Sequence, residues 1–269
     1  MQLTSGTPTQ TKTPSLLRRG RRLAAKLYHR LIAPARCYSD IRAYASFAKV
    51  RGLEHIHYGY WQAGDDIMAA QENLYQQVKS LIPNHLKTIL DVGGGIGGAS
   101  NRLADDGYEP VCIVPDPALI ADGSQRFPRV RFLEATAEGF STANKFDAAV
   151  FIESYQYFSD KHRALANVTR HLNPAGCVIF AEEFSLVSGD SLPTERSLIS
   201  YMWSKGYTVD SRIDITKQII PTCRYVYEMT EEVAPELADA WKNNERRYLG
   251  GERQYVLLRF CPQRRPDPA

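Results

Sequence analysis

No Cys-x-x-Cys occurs in this chain of 269 residues, and its five cysteines, Cys37, Cys112, Cys177, Cys223 and Cys261, are scattered. An odd, dispersed set argues against a disulfide framework or a cysteine zinc site. It suits a reducing compartment, so a cytoplasmic protein is expected. No apolar run approaches the roughly 20 residues that a membrane-spanning helix needs. Charges break every apolar run near the N-terminus, so no secretory leader is read there. Gly-Lys-Ser/Thr is absent, which argues against a phosphate-binding P-loop. There are no internal repeats. No nucleic-acid-reading module or basic platform interleaved with aromatics is present, and no nucleic-acid partner is expected. His55 and His57 are an i, i+2 pair with no nearby third ligand of clear spacing, so no metal is expected.

What is present is an ordinary globular composition with an uneven distribution of charge. The net charge is +3. Residues 1–60 hold eleven Lys/Arg against Asp40 and Glu54, which gives +9 there and −6 over the remainder. Residues 1–14 are rich in Thr, Gln, Ser and Pro and read as a disordered tail. Residues 15–32 read as a basic amphipathic helix. Leu23, Leu27 and Leu31 fall on one stripe, and Arg22, Lys26 and Arg30 on another. Such a helix suits either a cap with a solvated basic face or a contact with an anionic membrane surface or acidic partner.

The most informative stretch runs from Thr88 to Ala104. Thr88 to Val92 is β-branched and apolar around one acid, Asp91, as in a short buried strand. Five of the next six residues are glycine. Such a turn takes positive φ and lets a ligand approach the backbone. A helix then opens, with free N–H groups and its positive dipole end facing the turn. A strand, a glycine turn and a helix make a site for a polar, nucleoside-like ligand at the C-terminal end of a first strand.

Periodicity predicts further elements. Helices are expected over 65–80, 159–172, 193–205 and 230–245. Strands are expected over 110–114, 130–135, 145–152, 177–183, 207–216 and 254–260. Alternation of strand and helix implies a parallel sheet covered on both faces.

The spacing Asp91-x-Gly93-x-Gly95-x-Gly97 resembles the first motif of class I S-adenosylmethionine (SAM)-dependent methyltransferases. His57-x-Gly59-Tyr60-Trp61 resembles the segment that precedes this motif in tocopherol-type enzymes. Phe146-Asp147, with an apolar run ending in Glu153-Ser154, resembles the family's fourth motif. Asn173-Pro174-Ala175-Gly176 resembles the turn that stops its helix, and Asp214-Ile215-Thr216 the Asp-x-Thr of the tocopherol and sterol enzymes. The resemblance, to the ubiquinone, tocopherol and sterol group, covers about Glu54 to Phe260. It implies a doubly wound, mostly parallel seven-stranded Rossmann-like sheet whose last strand is antiparallel. A helical cap over 15–82 and a SAM-binding domain over 83–262, with a lid around 193–250, complete that expectation.

The resemblance also implies roles. Gly93, Gly95 and Gly97 would pass under the amino-acid part of SAM, with Asp91 holding the turn and the ammonium end. Asp116, just past the second strand, would accept the ribose hydroxyls, a task that suits a carboxylate. Thr136 and Ala137 would meet the adenine. Ile152 and Glu153 would face the methyl group, and Tyr60 would contact SAM or the acceptor. His57 is the first candidate base and Tyr155 the second. The aromatic N-terminal region and the 193–245 stretch point to a lipophilic or aromatic small-molecule acceptor methylated on carbon or oxygen. Use of SAM without methyl transfer, as in a cyclisation, a non-catalytic binding role, and a nicotinamide dehydrogenase are the rival readings.

Overall fold

A computed structural model describes residues 33–232 and 234–263. The tail and the basic helix expected over 1–32 lie outside the described residues. In chain order the elements are α1 (Ala33–Val50), α2 (Ile67–Ser80), β1 (Thr88–Val92), α3 (Gly98–Asp105), β2 (Glu109–Val114), α4 (Pro117–Arg126), β3 (Arg131–Glu134) and β4 (Phe146–Ile152). A 3-10 turn (Tyr155–Tyr157) leads to α5 (Lys161–Arg170), β5 (Leu172–Ser185), α6 (Glu195–Ser204), β6 (Tyr207–Asp214), α7 (Thr216–Thr230), α8 (Pro235–Leu249) and β7 (Arg253–Pro262).

The seven strands form one sheet in the order β3-β2-β1-β4-β5-β7-β6. β7 runs antiparallel to both its neighbours, and the other pairings are parallel, as expected. The chain leaves β1 for β2 and β3 on one side and returns to β4 on the other. A crevice therefore opens beyond the C-terminal ends of β1 and β4.

Alternation along β1 builds both faces of the core. Leu90 and Val92 join Leu165 and Val168 of α5 and Leu198 and Met202 of α6. Ile89 joins Leu74 and Val78 of α2 and Leu103 of α3 on the opposite face. Full burial of each such side chain is worth about 1.5–3 kcal/mol. The helix starts are capped by local chemistry: Asp66, Asp116, Asp160 and Thr194 each accept a backbone N–H of the first turn of α2, α4, α5 and α6.

The chain beyond β4 differs from expectation in two places. Residues 216–230 form helix α7 although Pro221 lies inside it. Proline in a helix interior removes a hydrogen bond and usually breaks the element. Here the helix is held from outside: Trp61 N–H donates to Gln218 O at 3.0 Å, and Gly59 N–H and Trp61 Nε1–H both donate to Thr222 Oγ1. The helix expected over 230–245 accordingly starts at Pro235 as α8, because Thr230 closes α7. Asn173-Pro174-Ala175-Gly176, expected as a helix stop, opens β5 instead, opposite a register shift in β4 between Phe146 and Ala148.

Candidate active site

Asp91 sits at the base of the glycine turn, 1% exposed. Ser100 Oγ donates to its Oδ2 at 2.6 Å, and its Oδ1 has no partner among the described residues. Burial pushes its carboxyl up to about 6, against the hydrogen bonds from Ser100 and Cys112. Gly93 and Gly95 have φ of 75° and 59°, which L side chains rarely adopt. A Cβ on Gly93 would lie 2.6 Å from Ser154 Cβ, and one on Gly95 2.5 Å from Ile56 Cδ1. Backbone alone fits this cradle.

Past β2, Asp116 is buried and caps α4 through Ala118 N–H at 2.9 Å. Arg42 of α1 clamps it from outside, with Nε to Oδ2 at 2.7 Å and NH2 to Oδ1 at 2.8 Å. The guanidinium holds the Asp116 carboxyl below its usual range. At the β4 exit, Glu153 is the only non-glycine residue with positive φ among those described, at 53°. That conformation costs about 1–3 kcal/mol, and two hydrogen bonds to Oε1 hold it: Tyr58 N–H at 2.7 Å and Tyr255 O–H at 2.9 Å. Burial raises the Glu153 carboxyl well above the ordinary carboxylate value. One residue on, Ser154 and Tyr155 N–H groups share Glu182 Oε1.

The segment Glu54–Trp61 crosses the mouth of the crevice without regular structure. Its carbonyls at His55 and His57 accept from Gln71 Nε2, and Tyr60 N–H donates to Ala70 O. Gly98 has no room for a side chain because Glu54 O lies against it. His57 Nδ1–H donates to Tyr58 O at 2.6 Å, since a carbonyl only accepts. Nε2 is thereby left as the lone-pair nitrogen, and it has no partner among the described residues. Burial lowers the His57 pKa to about 4, so the ring is neutral near pH 7.

These parts surround a single cavity of about 860 Å³. Its roof is Ile41 and Tyr44 of α1 with Leu237, Ala240, Trp241 and Asn244 of α8. Of the expected site residues, His57, Asp91, Gly93, Gly95, Asp116, Thr136, Ala137, Ile152 and Glu153 line it. Three lie elsewhere. Tyr155 points into the core, 2% exposed, with its ring 5.7 Å from Phe180 and 6.2 Å from Phe158. The short helical turn sends Gln156 and Tyr157 to the cavity in its place. Tyr60 packs beside the α2–α3 side of the core. Gly97 lies over β3, where a Cβ would sit 2.6 Å from Phe132 Cζ. Its glycine serves packing.

Seven buried side-chain polar atoms lack a partner among the described residues, and four of them line this cavity: Tyr44 Oη, His55 Nδ1, His57 Nε2 and Asp91 Oδ1. Buried polar groups are ordinarily paired, so this concentration marks a place for a polar ligand. Sequence reasoning passed over Tyr44, Trp241, Asn244 and Glu183 as site residues. They come from α1, α8 and the end of β5, which carry no spacing signal. Among the described residues no cluster of three or more His, Cys, Asp or Glu fits a metal ion, and no helix is long and apolar enough to cross a membrane.

A doubly wound sheet of this order, with an acid and glycine turn at β1 and a capped acid after β2, defines a class I methyltransferase fold. Residues 89–176 match the family described as "Methyltransferase domain". The chain is 25% identical over 159 residues to an uncharacterized methyltransferase of Mycobacterium tuberculosis, covering 58% of this chain and 63% of that one, so it spans less than two thirds of that relative's length. It is 27% identical over 200 residues to an O-methyltransferase of Penicillium expansum, covering 63% of this chain and 71% of that one. In structure it is similar to the [4+2]-cyclase SpnF, with a TM-score of 0.70 at 20% identity over 85% of this chain and 94% of that one. Residues 89–176 thus carry a methyltransferase domain within a class I methyltransferase fold, and such a domain implies SAM as the cofactor.

Proposed function

We propose that the chain transfers a methyl group from SAM to carbon or oxygen of a small lipophilic or aromatic molecule in a biosynthetic pathway. The continuity of one cavity carries this reading. It runs from the glycine turn, past the β4 exit, into a lobe walled by Tyr44, Tyr58 and Trp241. Asp91 would hold the ammonium end, Gly93 and Gly95 the amino-acid part, Asp116 the ribose, and Thr136 and Ala137 the adenine. Ile152 and Glu153 would face the methyl group. When bound, SAM supplies an electrophilic methyl on a sulfonium.

The chain's own contribution is alignment and exclusion of water. α1 and α8 act as the lid, with segment 54–61 closing the mouth. His57 Nε2 takes the proton that an oxygen acceptor loses on methylation. A base of pKa about 4 suffices for that task, because a protonated ether is a far stronger acid than this imidazolium. Calorimetric titration with SAM, S-adenosylhomocysteine and NAD tests the reading. Binding of the first two without NAD is expected, together with release of S-adenosylhomocysteine when quinone, polyketide or isoprenoid acceptors are supplied. Binding of NAD alone refutes the reading. SAM binding without S-adenosylhomocysteine release across such a panel favours use of the cofactor without methyl transfer.

A further inference from the structure

We propose that the acceptor lobe takes an uncharged, ring-bearing molecule oriented by a hydrogen bond from the Tyr44 phenol, and that it turns anionic molecules away. The inference rests on the methyl-transfer reading and deepens it.

Tyr44 is placed by α1 at the cavity roof. Its ring stacks on Phe47 at 5.8 Å and leans on Trp241 at 5.5 Å, and the residue is 8% exposed. Its hydroxyl has no partner among the described residues. The surrounding rings fix the phenol in place, and its hydroxyl is buried beneath the cavity surface, so a ligand oxygen reaches it with a small displacement of the roof. Burial, with Glu153 facing it, keeps the phenol protonated and therefore a donor. The wall beside it is aromatic: Tyr58 and Trp241 pack with ring centroids 5.1 Å apart and planes tilted by 58°. Rings meeting rings at these separations favour a planar ligand.

Charge decides what the planar ligand carries. Six acidic residues line the cavity: burial holds Glu153 toward its neutral form, Asp116 and Glu183 are ion-paired, and Asp91, Glu138 and Glu236 have no ion pair among the described residues. No Lys or Arg is among the described lining residues. Two guanidiniums beside lining acids are already engaged, Arg42 on Asp116 and Arg253 on Glu183 at 3.3 Å. SAM itself brings positive charge at its sulfonium, which this lining suits. A carboxylate or phosphate on the acceptor would enter an acidic site with no Lys or Arg in its described lining, the adjacent Lys161 ammonium being held by the Gln156 and Phe158 carbonyls, and desolvating an unpaired charge is costly. A neutral oxygen meets the Tyr44 donor without that penalty.

Three probes sharing one ring system test this at neutral pH: naphthalene, 2-naphthol and 2-naphthoate, titrated into protein saturated with S-adenosylhomocysteine. 2-Naphthol is expected to bind at least tenfold tighter than 2-naphthoate, and tighter than naphthalene. Tyr44→Phe keeps the ring and is expected to bring 2-naphthol to within about twofold of naphthalene, with S-adenosylhomocysteine affinity unchanged. 2-Naphthoate binding as tightly as 2-naphthol overturns the inference. So does an unaltered 2-naphthol affinity in Tyr44→Phe, or no binding of any of the three. If S-adenosylhomocysteine itself fails to bind, the methyl-transfer reading falls instead, and the same titrations on the protein alone still rank the probes.

Discussion

Asp91→Asn is expected to make the cofactor-free protein more stable while weakening its hold on SAM. The folded-state pKa of Asp91 is raised from 3.8 to about 6, chiefly by burial. A raised carboxyl binds its proton more tightly folded than unfolded, so its ionisation opposes folding. The penalty is absent below pH 3.8, grows between 3.8 and about 6, and is complete above that. At 1.36 kcal/mol per pKa unit, it reaches about 3 kcal/mol at pH 7.5 and roughly half of that at pH 5. The residue is 1% exposed, so solvent does little to screen the cost. Asparagine retains an oxygen for the Ser100 hydroxyl and carries no charge. The gain should therefore appear in urea unfolding midpoints at pH 7.5 and shrink toward pH 5. The SAM ammonium loses a charged partner worth about 1.5–3 kcal/mol, a ten- to hundredfold weaker Kd by calorimetry. An Asn variant that is less stable at pH 7.5, or a stability difference independent of pH, refutes the reasoning.

Two paired substitutions follow. Gly95→Ala and Gly97→Ala both place a side chain at positive φ and should each cost about 1–3 kcal/mol in urea unfolding. Only Gly95 faces the cavity, so SAM affinity should fall tenfold or more in that variant and stay within twofold in Gly97→Ala. Tyr155→Phe should retain at least half of wild-type turnover, because its ring is a core residue. His57→Ala should lose on the order of a hundredfold in kcat, the lower end of general-base contributions. Full turnover in His57→Ala would remove the base assignment.

The parts of the fold that were legible in sequence are those with a local physical signature. β1, the glycine turn and Asp91 could be read because buried strands are β-branched and because positive φ demands glycine. Asp116 could be placed only through the resemblance, as the acid after β2 about twenty residues past the glycines; that it caps α4 is visible only in the fold. Gly97 shows the limit of that logic: its φ of 84° favours glycine and Phe132 fills the space of a Cβ, and it is not among the described cavity-lining residues. Tyr155 and Tyr157 could not be told apart, since a three-residue turn has no periodicity to say which ring faces inward. α7 was missed because Pro221 carries a strong local signal against helix. The contacts that override it, from Gly59 and Trp61 to Thr222, bridge more than 160 residues of chain.

The matched family spans residues 89–176, and within it lie the glycine turn, Asp116, Thr136, Ala137 and Glu153. The roof lies outside it, on α1, segment 54–61 and α8. The two halves meet at Asp116. A carboxylate offers about four acceptor positions. Arg42 takes two of them, and the Ala118 and Leu119 N–H groups take the others. In the proposed site, Asp116 would receive the two ribose hydroxyls only as the Arg42 guanidinium gives up its bonds. That guanidinium is about half exposed, against 2% for its partner, so water can take over the bond it releases. α1, which carries Arg42, also carries Ile41 and Tyr44 into the acceptor lobe. Under the proposed ribose contact, cofactor binding and the position of the acceptor roof would compete for the same carboxylate oxygens, which would couple cofactor occupancy to the shape of the lobe through a single side chain.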